Sequence, residues 1–178
     1  LIYDQKKDFD RAQRAYTMAV NLNPAFASAY INLGVHQLRN KQYELAVATY
    51  ERVSGALGQT SAEVYNALGS AYRGRSAGWP AGAPDNTTFL RKAEDAFKRA
   101  LTLRRDYATP YYNLGLLYLD ADPFPGPAGA LDTLVRLGQA KAYFEEYKSK
   151  AGADLSLVEA RLKDVSKLIK REEKKRKK

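Results

Sequence analysis

"YYNLGLLYL" (111–119) restates "YINLGVHQL" (30–38) almost letter for letter, and "YNALGSAYR" (65–73) is a looser third copy. The copies begin 35 and then 46 residues apart. Each opens on an aromatic residue, with Leu-Gly three and four positions later. A second phrase alternates with the first: "FDRAQRAYTMAV" (9–20), "YELAVATYERV" (43–53), "LRKAEDAFKRA" (90–100) and, more loosely, "GQAKAYFEEY" (138–147). Its members are Ala12, Tyr16 and Ala19; Ala46, Tyr50 and Val53; Ala93, Phe97 and Ala100; and Ala140, Phe144 and Tyr147. Spacings of i, i+4 and i+7 place such residues on one stripe of a helix. Small residues there (Gly34, Gly69, Gly115 and the alanines) let a neighbouring helix approach closely, and the large Tyr, Leu and Phe fill what space remains.

Two helices per unit and about 34 residues per repeat resemble the tetratricopeptide repeat family over most of residues 1–147. Pro24, in "LNPAF", stands where that family closes a repeat, and proline there stops a helix. Gly58 and Arg105 replace it in the next two repeats. The resemblance implies an all-α, right-handed solenoid. A partial first repeat (1–26) would be followed by repeats at 27–60, 61–107 and 108–154, a capping helix at 155–171 and a basic tail at 172–178.

The unequal spacing has a local cause. From each motif alanine to the next repeat's aromatic the distance is 18, 19 and 18 residues (12 to 30, 46 to 65, 93 to 111), so the connections between repeats are nearly constant. Inside the repeats, the late tyrosine of the first helix precedes the alanine by nine residues in the first (Tyr3 to Ala12). In the third and fourth that interval is 21 (Tyr72 to Ala93) and 22 (Tyr118 to Ala140). The Gly/Pro-rich stretches "GRSAGWPAGAPDN" (74–86) and "DADPFPGPAG" (120–129) are predicted as loop insertions. Leu131, Leu134 and Leu137 also extend the helical pattern into the fourth repeat's insertion. Both insertions fall on one edge of the solenoid, in adjacent repeats, where they can form a joint feature. Ser156 and Glu159 predict a capping box for the last helix. Val158, Leu162, Val165 and Ile169 form its apolar stripe, which covers the open end of the array.

The chain of 178 residues has a formal charge of +9, but "KLIKREEKKRKK" (167–178) alone carries +6, leaving +3 for the rest. The folded body is thus nearly balanced and the basic character is terminal. Cysteine is absent, which excludes disulfides, thiolate metal sites and a cysteine nucleophile. The single histidine, His36, stands in a chain with no cysteine and no second histidine to share a metal, so a structural or surface role is expected of it and not catalysis. Asp120 and Asp122 alternate as in a calcium loop, yet the further oxygen ligands and closing glutamate are missing. No phosphate-binding glycine loop is present. The expectation is a protein without catalytic residues, cofactor, metal or small-molecule substrate.

By the family resemblance, the first helix of each pair lines a concave groove that takes a protein or peptide partner. Its lining here would be Asn32, Val35 and Arg39, then Asn66, Ser70 and Arg73, then Tyr112, Asn113 and Leu116. Asn32 and Asn113 hold equivalent positions before Leu-Gly, suited to pairing with a peptide backbone. The third repeat breaks that ladder, with Ala67 in place and Asn66 one residue early. The family's carboxylate clamp is not matched, since Ile31, Val35, Thr109 and Asn113 stand where its residues belong. Trp79 and Phe124, one in each insertion, either serve as loop contacts or fold back over a helix end and bury themselves.

The expected function is therefore a protein-interaction scaffold or adaptor. Two alternatives stand beside it: a basic tail that recruits anionic membrane or nucleic acid, with nucleic acid disfavoured because no aromatics interleave with the charges, and self-association into a homo-oligomer. "LYLDADPFPG" (117–126) followed by "YFEEYK" (143–148) also resembles repeat lipoproteins of bacterial envelope and gliding-motility assemblies, which implies a periplasmic scaffold. The chain begins at Leu1, so further upstream repeats or a lost leader are compatible with this reading.

Overall fold

A computed structural model describes residues 9–150 and 152–177. Among these, eight helices follow one another: α1 Phe9–Leu22, α2 Ala27–Arg39, α3 Tyr43–Ser54, α4 Ala62–Ser76, α5 Pro84–Leu103, α6 Ala108–Asp120, α7 Thr133–Lys148 and α8 Leu155–Arg176. A two-residue antiparallel pair, β1 Pro125–Gly126 and β2 Gly129–Ala130, interrupts the run between α6 and α7. Tyr3 and the opening helix expected for the first repeat lie outside the described residues.

Each helix packs on the next, and the core is continuous from α3 to α8. The repeated small and large residues meet as their spacing implies. A methyl placed on Gly34 would lie 2.7 Å from the Tyr50 ring, on Gly69 2.6 Å from Phe97, and on Gly115 2.6 Å from Phe144. Only a hydrogen at these positions lets the aromatic ring of the second helix lie against the backbone of the first. Tyr50, Phe97 and Phe144 are almost wholly buried, as are Ala46, Ala93 and Ala140 beside them. Each such ring contributes roughly 2 kcal/mol by leaving water. His36 is buried as well, with its ring edge-on to Tyr16, so the lone histidine is a packing residue.

Helix ends are set locally. Ser61 caps α4 by accepting from the Val64 amide. Gly58, at φ +63°, takes the left-handed turn that separates α3 from α4 where a proline closes the first repeat. Asp132 caps α7 through the amides of Leu134 and Val135.

The first insertion is more helical than its composition suggests. Of 74–86, Gly74 to Ser76 complete α4 and Pro84 opens α5, which leaves 77–83 as loop. Glycine at 74 serves packing, because the Tyr43 ring occupies the space a methyl there would need. Proline at 84 sits in the first turn, where its fixed φ favours a helix start. Buried Asn86 then pins the short loop: it donates to the Ser76 carbonyl at 3.0 Å and accepts from the Gly82 amide at 3.2 Å. In the fourth repeat Leu131 lies before α7 rather than within it, its amide bonded to the Phe124 carbonyl.

Two features of the last helix also differ from expectation. Its cap is Asp154, which accepts from the Leu157 amide and from the Ser156 hydroxyl, while Glu159 pairs with Lys148. Two residues nearer the amino terminus, Asp154 starts the helix early enough to leave Ser156 inside it. The basic stretch read as a tail is helical through Arg176, because Arg176 reaches back 2.6 Å to Asp132 and also pairs with Glu172. Val158 and Val165 are fully buried against the preceding repeat, with Leu162 and Ile169 packed beside them.

Candidate functional site

The first helices of successive pairs touch one another, α2 against α4 and α4 against α6, whereas α3, α5 and α7 make no comparable contact. Helices that crowd on one side and spread on the other curve the array, so α2, α4 and α6 form its inner wall.

The nine residues expected on that wall differ in availability. Asn32, Val35 and Arg39 are exposed on α2. Ser70 and Arg73 are half-buried on α4, and Leu116 is packed against the core on α6. Asn66 and Asn113 are already engaged: Asn113 donates to the Asn66 side-chain oxygen at 2.8 Å. The one-residue offset of Asn66, which breaks the ladder in sequence, turns its amide toward α6. Tyr112 is held by internal contacts too. Its ring lies 5.5 Å from Phe144 and 5.1 Å from Tyr147, and Arg161 of α8 hydrogen-bonds it.

At the carboxyl ends of α4 and α6 the two insertions clasp each other. Arg73 pairs with Asp120 at 2.7 Å, and the Gly82 backbone packs on Pro123. Arg91 of α5 donates to the Gly126 carbonyl at 3.0 Å. Beneath the hairpin, Arg136 is buried and donates to the carbonyls of Tyr118 and Leu119, at 2.7 and 2.9 Å. Its other nitrogen pairs with Asp122 at 2.9 Å. One guanidinium thus caps α6 and anchors the second insertion.

Phe124 takes the buried alternative and not the role of a loop contact. It is 1% exposed and stacks on Tyr118 at 4.4 Å, so it cannot meet a partner. The ring joins the core cluster of α6 and α7 there, where its apolar surface leaves water. Trp79 remains accessible at 37%. The Arg75 guanidinium lies 5.4 Å from its ring centroid on one side. Elsewhere its surroundings open into a cleft of about 630 Å³ between the insertions. Leu38, Leu90, Leu117 and Pro123 give this cleft apolar surface, and Ser70 and Arg73 belong both to it and to the inner wall. The cleft was hidden from sequence reasoning, since it arises from residues 85 positions apart (Leu38 to Pro123). The only signal was that both insertions fall on one edge.

Two tyrosines tie neighbouring repeats together. The Tyr72 hydroxyl donates to Glu51 and that of Tyr118 to Glu94, each at 2.6 Å. Burial first, and then the adjacent carboxylate, pushes both phenols well above the ordinary tyrosine range. Burial alone does the same to Tyr50. Among the described residues no group of carboxylates and histidine is placed to hold a metal ion, and no helix is long and apolar enough to cross a membrane.

The tetratricopeptide repeat family model matches residues 1–26. MamA, in its crystal structure, is 26% identical with a TM-score of 0.63, and the match covers 97% of this chain and 94% of that one. The fold is that of a tetratricopeptide-repeat solenoid. TTC0263, a thermophilic protein of this repeat class from Thermus thermophilus, superposes with a TM-score of 0.67 at 18% identity, covering 89% and 73%. MamA 41-end from Desulfovibrio magneticus RS-1 does so at 0.60 and 23%, covering 82% and 70%. Comparison with curated proteins by sequence gives no match. In this solenoid the repeat units supply an interaction scaffold, and α8 takes the place of a next first helix, covering the face that α7 would leave open.

Proposed function

We propose that this solenoid is a non-enzymatic scaffold that holds an extended segment of a partner protein along α2, α4 and α6. One apolar side chain of that segment enters the cleft beside Trp79. The observation that carries this reading is the continuity of wall and cleft through Ser70 and Arg73. A groove that only offers amides binds any backbone weakly, whereas an adjoining apolar cavity of this size gives an anchor and selectivity. The similarity of residues 117–126 and 143–148 to envelope lipoproteins favours a periplasmic setting for the complex.

Trp79 is the sole tryptophan, so it reports on its own cleft. Peptides selected from a random display library on the wild-type solenoid should share an apolar anchor and shift Trp79 emission. Filling the cleft by Ser70→Trp should abolish their binding, and Trp79→Phe should remove the signal while largely retaining affinity. Selected peptides that bind equally well to Ser70→Trp would sink the reading.

A second reading, association of two copies, has support at the other end of the array. Met18 and Leu22, one turn apart on α1, are 63% and 81% exposed. Sedimentation velocity at several concentrations distinguishes it, with a concentration-independent monomer excluding it.

A further inference from the structure

Beyond partner binding in the groove, α8 carries a surface that the scaffold reading does not use. Val158, Leu162, Val165 and Ile169 turn inward, and Arg176 fastens the far end to Asp132. That fixes which side looks outward. Lys163, Lys167, Lys170, Lys174 and Lys177 follow one another at intervals of four, three, four and three residues, and all are exposed. At 100° per residue they form a single row along the outward face, about 21 Å long. A solvated tail would scatter these charges, whereas the helix lines them up.

The acidic residues of α8 do little to cancel the row. Glu159 is taken by Lys148 of α7, and Glu172 by Lys175 and Arg176. Asp164 comes within 3.9 Å of a single lysine of the row, Lys167, and also lies near Arg161. Glu173, the remaining carboxylate, stands to the side of the row at the helical angle.

We propose that this lysine row docks the solenoid flat on a negatively charged lipid bilayer. Three observations favour that surface over a nucleic acid. The row is straight and held rigid, which suits a plane. It is built of lysines, point charges without the planar fork that reads phosphate and base edges together. No aromatic residue occurs from Lys148 to the carboxyl terminus, so nothing there stacks on bases. No apolar residue lies within the row either, so attachment is electrostatic, without insertion, and reverses with salt.

Vesicle flotation tests this with the full chain, using phosphatidylcholine alone and phosphatidylcholine mixed with phosphatidylglycerol. The expected result is binding to the anionic vesicles only, released by high salt. Each lysine neutralised should weaken it roughly fivefold, so the combination Lys163→Gln, Lys167→Gln, Lys170→Gln and Lys174→Gln should abolish detectable flotation. A control with Lys41→Gln and Lys141→Gln, away from the row, should float as wild type. Circular dichroism checks that α8 remains helical in the four-site variant. Absence of flotation, flotation unchanged by the four substitutions, or tighter binding to a labelled DNA duplex than to the vesicles would each overturn the proposal.

Discussion

Asn113 donates its side-chain amide to the side-chain oxygen of Asn66, joining the inner faces of α6 and α4. The bond spends on the scaffold itself two amides of a kind that could pair with a partner's backbone. Asn66→Ala and Asn113→Ala should each cost roughly 1 kcal/mol of stability. The double variant should cost less than the two together, since the second change removes a group already left alone. Denaturant unfolding of the four species measures that coupling, and strict additivity would mean that the bond adds nothing.

Gly115 is the close-approach point under Phe144. Gly115→Ala should destabilise by about 2 kcal/mol through overpacking. Adding Phe144→Leu, which withdraws the ring, should recover part of the loss although Phe144→Leu alone is destabilising. Thermal melts of the three variants check the sign of that compensation.

Arg136 serves the α6 carbonyl end and Asp122 at once. Arg136→Met should cost roughly 3 kcal/mol, because buried carbonyls lose a charged donor. Arg136→Lys should restore only part, as an ammonium cannot fork to the same partners. Hydrogen exchange should quicken across residues 121–132 and stay unchanged in α2 and α3.

Alkaline pH should loosen the array. Tyr50, Tyr72 and Tyr118 all have phenols raised above the unfolded value of about 10. A raised group contributes stability that is complete below that unfolded value and is lost as pH climbs toward the folded one. Melting temperature should therefore be steady near neutrality and fall above about pH 10. In Tyr72→Phe/Tyr118→Phe the fall should be shallower, from a lower starting point. An equal slope in that variant would assign the alkaline loss elsewhere.

The sequence disclosed the solenoid through pairs that recur: Gly34 with Tyr50, Gly69 with Phe97, Gly115 with Phe144. Periodicity reports helical faces directly, and these residues had to face each other for the repeat to close. The insertions resisted the same treatment because glycine and proline carry more than one meaning. Gly74 yields room to Tyr43, and Pro84 begins a helix, yet in composition both read as loop. Capping was misplaced by two residues because Ser156 and Asp154 each satisfy the chemistry and only the chain's path selects between them. The basic segment's helix depended on Arg176 finding Asp132, 44 residues earlier, a contact that no local pattern contains. On the groove, residue types were legible but their prior commitments, Asn66 to Asn113 and Tyr112 to Arg161, were not.

The clasp between the insertions has a consequence for the order in which the molecule assembles. Helix packing here joins nearest neighbours in the chain, and such short-range contacts form early and fast. Arg91 must instead find the Gly126 carbonyl across 35 residues, and Arg73 must find Asp120 across 47. Neither meeting is possible before α4, α5 and α6 have come together. The latch therefore closes only after these three helices have packed, and the insertion side of the cleft beside Trp79 is completed with it.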